Sequence, residues 1–222
     1  MREYLQALRA IWASWHDGAS LNFQGQMYRH LLMTPMFTPA RHEWGPPPVF
    51  LAGVGERMTE VAGELADGYV FHAFTTDRYL REVTLPALAG GRTAGVRPDA
   101  IRITGPALVA TGRSPEELAR AITGTRNRIA FYASTPAYRK VLELHGWGEL
   151  QTELNRLSKQ GEWDAMGELI DDTVLHAFAT VGSPAAVAHG LRERYGDVVD
   201  RISLYMPYDV DPAQLGELTR AV

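Results

Sequence analysis

Residues 47–72 constrain the fold of this chain more than any other stretch. A short apolar run, Val49 to Ala52, leads into a turn with glycines at 53 and 55. A helix is predicted from Glu56 to Leu65, then Asp67-Gly68, then a second apolar strand from Tyr69 to His72. This is a βαβ unit, because parallel neighbours need a crossover and a helix is the usual one. The unit bares backbone N–H groups at the start of its helix. Such a helix start suits an anion, usually a phosphate. The segment is therefore expected to hold a phosphorylated cofactor or substrate. A plain strand-to-helix turn explains the same glycines on backbone grounds alone.

The rest of the chain repeats the strand-and-helix rhythm. Tyr4, Leu5, Leu8, Ile11, Trp12 and Trp15 make one apolar face of an opening helix that has no N-cap residue before it. Residues 21–32 read as a small hairpin turning near Gln24-Gly25, and Pro35 to Pro48 as loop. A helix is expected from Asp77 to Ala89, ending in a glycine-rich turn. A long strand, Ile101 to Ala110, follows, with a bulge or bend at Gly105-Pro106. Ser114-Pro115-Glu116-Glu117 and Gly182-Ser183-Pro184 are helix starts, and the last strand is Arg201 to Met206, followed by a short tail. Residues 135–180 read as short helices with no strand between them, an insertion serving as a lid or as an accessory subdomain. Strands at 49–52, 69–73, 101–110 and 201–206 separated by helices predict an α/β fold with a parallel sheet.

Composition narrows the chemistry. With 222 residues, 45% of them hydrophobic, the chain can bury the core of one large domain. A net charge of −4 with scattered Lys and Arg gives no nucleic-acid footprint. No cysteine is present, which excludes disulfides, thiolate nucleophiles and Cys-ligated metals. The first residues lack the apolar core of a signal peptide, and no run reaches the ~18 apolar residues of a membrane span. A cytoplasmic protein without membrane or nucleic-acid partners is expected.

The candidate site residues are few. A third glycine of a Gly-x-Gly-x-x-Gly pattern would fall at Met58, so the dinucleotide fingerprint fails. Arg57, in the first helical turn, can add a charge-assisted contact to a phosphate or simply be solvated. His72 ends a strand, where parallel β/α folds place ligands and acid/base groups, and where a hydrogen-bonded structural histidine is the other reading. The seven histidines include no helically spaced pair, so a metal site has no support. No Gly-x-Ser-x-Gly elbow or P-loop occurs. Phe131, Tyr132, Tyr138 and Trp147 can line a pocket for a flat or apolar molecule, or pack as helix core.

Several segments in order resemble one family. They are Tyr4-Leu5-Gln6-Ala7-Leu8-Arg9-Ala10-Ile11-Trp12, Phe23-Gln24-Gly25-Gln26-Met27-Tyr28, Pro47-Pro48-Val49-Phe50-Leu51-Ala52-Gly53, Ala66-Asp67-Gly68 and Gly182-Ser183-Pro184. Together with Phe131-Tyr132-Ala133-Ser134-Thr135-Pro136-Ala137-Tyr138, they resemble the bacterial luciferase-like monooxygenase superfamily, in its coenzyme F420-dependent oxidoreductase branch. The resemblance implies a TIM barrel that binds F420 or FMN at the C-terminal mouth of its strands. It implies that Ala52, Gly53, Val54, Gly55, Glu56 and Arg57 cradle the cofactor phosphate. His72 would then face the reacting ring, and Phe131, Tyr132 and Tyr138 would belong to the covering insertion as substrate pocket.

The resemblance covers the C-terminal half of the barrel only. A (β/α)₈ barrel has eight strands, and four are legible here. Residues 1–222 are expected to form one partial, truncated barrel domain with the 135–180 insertion inside it. First-half strand ends supply the family's acid/base groups, so no catalytic residue is carried over. The activity implied is hydride transfer between F420 and a small organic substrate. The alternatives are an FMN-dependent monooxygenase, or a non-catalytic fragment that binds cofactor or a partner. Strands 49–52 and 201–206 would leave open edges, which predicts homo-oligomerisation or another association that covers them, or poor solubility.

Overall fold

A computed structural model describes residues 1–95 and 100–221. Helix α1 (Arg2–Asp17) ends at Gly18, which takes the left-handed conformation, φ 68°, that stops a helix most cheaply in glycine. Its buried edge is narrower than the apolar periodicity implies. Leu5 packs on Val61 and Leu65 of the next helix, while Tyr4 remains 46% exposed. The hairpin pairs β1 (Phe23–Gln24) antiparallel with β2 (Arg29–His30). A carboxylate oxygen of Glu3 accepts from the N–H groups of Met27 and Tyr28 at 2.6 Å and ties the hairpin to α1.

The main sheet begins with β3 (Phe50–Ala52), α2 (Glu56–Leu65) and β4 (Gly68–Val70). β3 and β4 are parallel, with Leu51 opposite Tyr69. The helical run after β4 is one continuous stretch, α3 (Asp77–Tyr79), a π turn over Leu80–Thr84, and α4 (Leu85–Ala94). The wide turn lies just before Pro86, a residue that cannot donate to an α-helical ladder. This run passes through Gly90 and Gly91, where a turn was expected. A Cβ on Gly91 would stand 2.0 Å from the Glu60 carbonyl oxygen, and one on Gly63 would stand 2.2 Å from that of Leu88. Glycine serves here to bring α2 and α4 into backbone contact, not to break a helix.

Strand β5 (Arg102–Thr111) runs straight through Gly105-Pro106, with no bulge. Its Arg102–Thr104 segment pairs with β4, and its Leu108–Thr111 segment pairs with a short strand, β6 (Ala179–Gly182). Thr104 and Leu108 also pair with β7 (Arg201–Tyr205), so β4 and β6 share one flank of β5 and β7 takes the other. Pro106 falls in the gap between β4 and β6, where its missing N–H breaks no bond on that flank. The sheet thus has five parallel strands in place of the four expected. The helical pattern of 135–180 hides β6, which is four residues long and follows a helix with no connecting loop.

Between β5 and β6 lie α5 (Pro115–Ala133), α6 (Arg139–Glu143), α7 (Gly148–Gln160), α8 (Trp163–Glu168) and α9 (Asp172–Phe178). The Ser114 hydroxyl accepts from the Glu117 N–H at 3.2 Å, as its cap signature requires. α10 (Pro184–Tyr195) is capped by Ser183 in the same way. The expected tail contains a helix, α11 (Pro212–Ala221), whose Leu218 is buried against the α10 side of the sheet. Two cores result. One joins sheet to α2, α4 and α10 through Ala62, Tyr69, Phe71, Val109, Leu191 and Tyr195. The other joins α5 to the inserted helices through Ile129, Leu142, Leu154, Ile170 and Phe178. The opposite face of the sheet is covered by the second core at Leu108 and is open at Phe50, Arg102 and Arg201, where it bounds a 490 Å³ hollow. No helix among the described residues is long and apolar enough to cross a membrane.

Candidate functional site

The turn from Ala52 to Arg57 is held from beneath. The Tyr69 hydroxyl donates to the Gly53 carbonyl at 2.6 Å and lies 3.1 Å from the Thr59 hydroxyl. Burial pushes the Tyr69 phenol above its ordinary pKa, so it stays a donor at neutral pH. Gly55 is the N-cap of α2, with extended backbone (φ −105°, ψ 153°) and no side-chain cap. The first helical bonds run from the Met58 and Thr59 N–H groups to the Gly55 carbonyl. The amides of Glu56 and Arg57 precede those bonds and point out of the helix end. A Cβ on Gly55 would meet nothing within 4 Å, whereas one on Gly53 would press on Met58 at 2.9 Å. Gly53 is therefore a packing glycine, and Gly55 fronts open space.

The charges around this helix start are mixed. Arg57 is exposed, and Glu56 places a carboxylate in the first turn. Lys140 of α6 donates to Glu56 Oε1 at 2.8 Å and so offsets that negative charge. Lys140 was not anticipated, because it lies 84 residues away on an inserted helix.

At the end of β4 three of the expected pocket residues converge. The His72 ring stacks on Tyr138 at 4.9 Å between centroids and meets Tyr132 edge-on at 4.9 Å. The Phe74 N–H donates to His72 Nδ1 at 3.0 Å, which leaves the proton on Nε2 facing the Tyr138 hydroxyl at 3.3 Å. Burial lowers the His72 pKa, so the ring is neutral at neutral pH. The Tyr132 hydroxyl lies 3.2 Å from that of Tyr205, at the end of β7. Burial, followed by this bond, pushes Tyr205 up to about 12.

Phe131 departs from this group. It sits 47% exposed beside Trp163 at 6.2 Å and does not touch His72. Trp147 stacks on His145 at 4.5 Å, and His145 in turn bonds the Thr76 hydroxyl at 2.9 Å, so both brace the loop after β4. Tyr205 and Arg128 complete the mouth; the available signal was that Tyr205 ends a strand whose C-terminus faces the same way as that of β4. Among the described residues no group of His, Asp or Glu side chains is placed to hold a metal.

Comparison with known proteins identifies the family and the fold. The family described as luciferase-like monooxygenase matches residues 1–201. An uncharacterized protein of Mycobacterium tuberculosis is 55% identical over 203 residues, covering 91% of this chain and 60% of its own length. A 5,10-methylenetetrahydromethanopterin reductase of Archaeoglobus fulgidus is 24% identical over 200 residues, covering 87% of this chain and 55% of its own. Among solved structures, the coenzyme F420-dependent tetrahydromethanopterin reductase from Methanopyrus kandleri superposes with a TM-score of 0.73 at 19% identity, over 98% of this chain and 60% of that one. The fold is therefore that of the luciferase-like barrels, and the chain spans about 60% of the length of the first of these relatives.

Proposed function

We propose a function from one premise: the chain belongs to the luciferase-like monooxygenase family. It is an oxidoreductase domain that moves a hydride between F420 and a small organic substrate. The observation that carries this is the turn at Gly53–Arg57, whose Gly53 carbonyl is clamped by Tyr69 while its amides and the space in front of Gly55 are left for a ligand. These residues fit a phosphate. The amides of Glu56 and Arg57 donate to it, Arg57 adds charge, and Lys140 keeps Glu56 from repelling it.

When bound, the deazaflavin supplies a ring that accepts or releases a hydride. The chain's own residues bind and orient. His72 is neutral with its proton held on Nε2, and it presents the C-terminal end of β4 toward the mouth. Tyr132, Tyr138 and Phe74 pack around it and exclude water from one wall. No acid or base is assigned. The likeness to the coenzyme F420-dependent reductase from Methanopyrus kandleri supports the F420 reading. An FMN-dependent monooxygenase is the second reading, favoured by the family's own description.

Titration of purified protein with F420 and with FMN, followed by cofactor fluorescence, separates the two. Tighter binding of F420 supports the first reading, and tighter binding of FMN the second. Binding of neither at high micromolar concentration leaves a non-catalytic partial barrel.

A further inference from the structure

We propose that the groove between α5 and α8 binds the carboxylate of a ligand whose flat apolar body lies on Phe131 and Trp163, with Arg128 as the anion anchor. This names a substrate class for the mouth described above and rests on reading that mouth as the substrate end of the site. Arg128, Phe131 and Tyr132 stand at i, i+3 and i+4 on α5 and so share one face. The Arg128 guanidinium carbon lies 5.9 Å from the ring centroids of Phe131, Tyr132 and Tyr205 alike. Aromatic faces hold a flat cation but offer no acceptor for its five N–H donors. Among the described residues Arg128 makes no hydrogen bond and no ion pair.

That is an unusual state for a half-buried arginine in a protein where the equally half-buried Arg9, Arg81, Arg126 and Arg139 are all ion-paired. The groove it lines has a volume of 320 Å³ and includes Asn127, Phe131, Trp163 and Asp164. Asp164 is the acidic neighbour there, yet it forms no ion pair with Arg128, so the fork is not already taken. The two large rings, Phe131 and Trp163, are 47% and 52% exposed and inclined at 44° to each other. Exposed rings beside a cation whose donors have no protein partner match an aromatic acid. The guanidinium binds a carboxylate through two parallel N–H···O bonds, and the rings take the apolar part. Tyr132 links this groove to His72 through their edge-on contact, so a ligand anchored at Arg128 would extend toward the end of β4.

The test uses 2-naphthoate and its neutral counterpart 2-naphthamide, titrated calorimetrically into the full chain at about pH 7.5, where a carboxylate is ionised. Naphthoate is expected to bind at least about tenfold more tightly than the amide, the size of a charge-assisted bidentate contact. Arg128→Gln should abolish that preference, and Arg128→Lys should keep part of it. Trp163→Ala should weaken both compounds alike. If Arg128→Gln fails to fold, as judged by circular dichroism, the wild-type preference must still shrink as salt is raised. Equal affinities in the wild type, a preference that survives in Arg128→Gln, or displacement of naphthoate by FMN would overturn the proposal. The last result would give the groove to the cofactor. The affinity, variant and salt outcomes do not depend on whether F420 or FMN binds at the turn, so failure of the cofactor reading is seen separately.

Discussion

Gly55 and His72 carry the residue-scale predictions. The backbone of Gly55 lies in the extended region open to any residue, and the space before it is empty. Gly55→Val should therefore fold normally while its branched side chain fills the position of the phosphate. Cofactor affinity should fall by about tenfold or more, read from the same fluorescence titration, with the thermal midpoint lowered only by the loss of a favoured N-cap residue. Unchanged affinity in a folded variant would remove the cradle.

His72 sets a pH dependence. Its pKa in the folded chain is below the ordinary 6.5 because burial disfavours the imidazolium. The unfolded chain therefore takes up the proton first, and stability falls as pH drops through 6.5 toward the folded value. His145 is shifted the same way, chiefly by burial, and adds to the effect. His72→Gln should flatten part of this acid limb in a series of thermal melts. An unaltered pH profile would show that His72 is solvated.

Residue roles were legible where bonds are local. Ser114 and Ser183 cap the helices that their sequence context announces. Gly53 and Gly55 mark the turn, yet composition does not divide their labour; packing against Met58 does. Lys140 was missed because its partner Glu56 lies 84 residues away, and Tyr69 and Arg128 because only the packed structure shows which groups they face.

At the scale of elements, α2 and α4 offer the sharpest test. Adding a methyl at Gly91 gains up to ~1 kcal/mol of helix propensity but drives a Cβ into the Glu60 carbonyl. Overpacking of this kind costs about 1–3 kcal/mol, and backbone cannot swing aside, so Gly91→Ala should destabilise by roughly 1–2 kcal/mol. Its neighbour Gly90 faces open space. Gly90→Ala should instead stabilise by up to ~1 kcal/mol. Urea titration of the two variants gives opposite signs if the helices touch as described, and the same sign if they do not. The strands and long helices were legible because their periodicity is local. β6 and α11 were not. One is too short to show alternation, and the other opens with Asp211-Pro212, where the Asp211 side chain accepts the Ala213 N–H at 3.1 Å, a start signal read as a tail.

The sheet has one face covered throughout and another covered by the inserted helices only at its Leu108 end, the rest of it open at Phe50, Arg102 and Arg201. β3 pairs only with β4, and β7 only with β5, among the described residues. Such edges recruit other strands. We expect the purified chain to associate, with sedimentation coefficients that rise with concentration. A single monomer boundary over a wide concentration range would refute this. The partial barrel was legible in the β/α alternation of four of the five strands, while β6 and the open hollow with Arg102 stacked 5.1 Å over Phe50 required coordinates.

Strand β5 holds the sheet together, and it does so in an order that translation cannot match. It meets β4 promptly, but its other flank waits for β7, whose Arg201 carbonyl receives the Thr104 hydroxyl across 97 residues of chain. A ribosome adds ~5–20 residues per second, so that flank stays bare for several seconds while the inserted helices emerge. During that interval the nascent chain exposes its longest strand, and a holding chaperone would find its best target there.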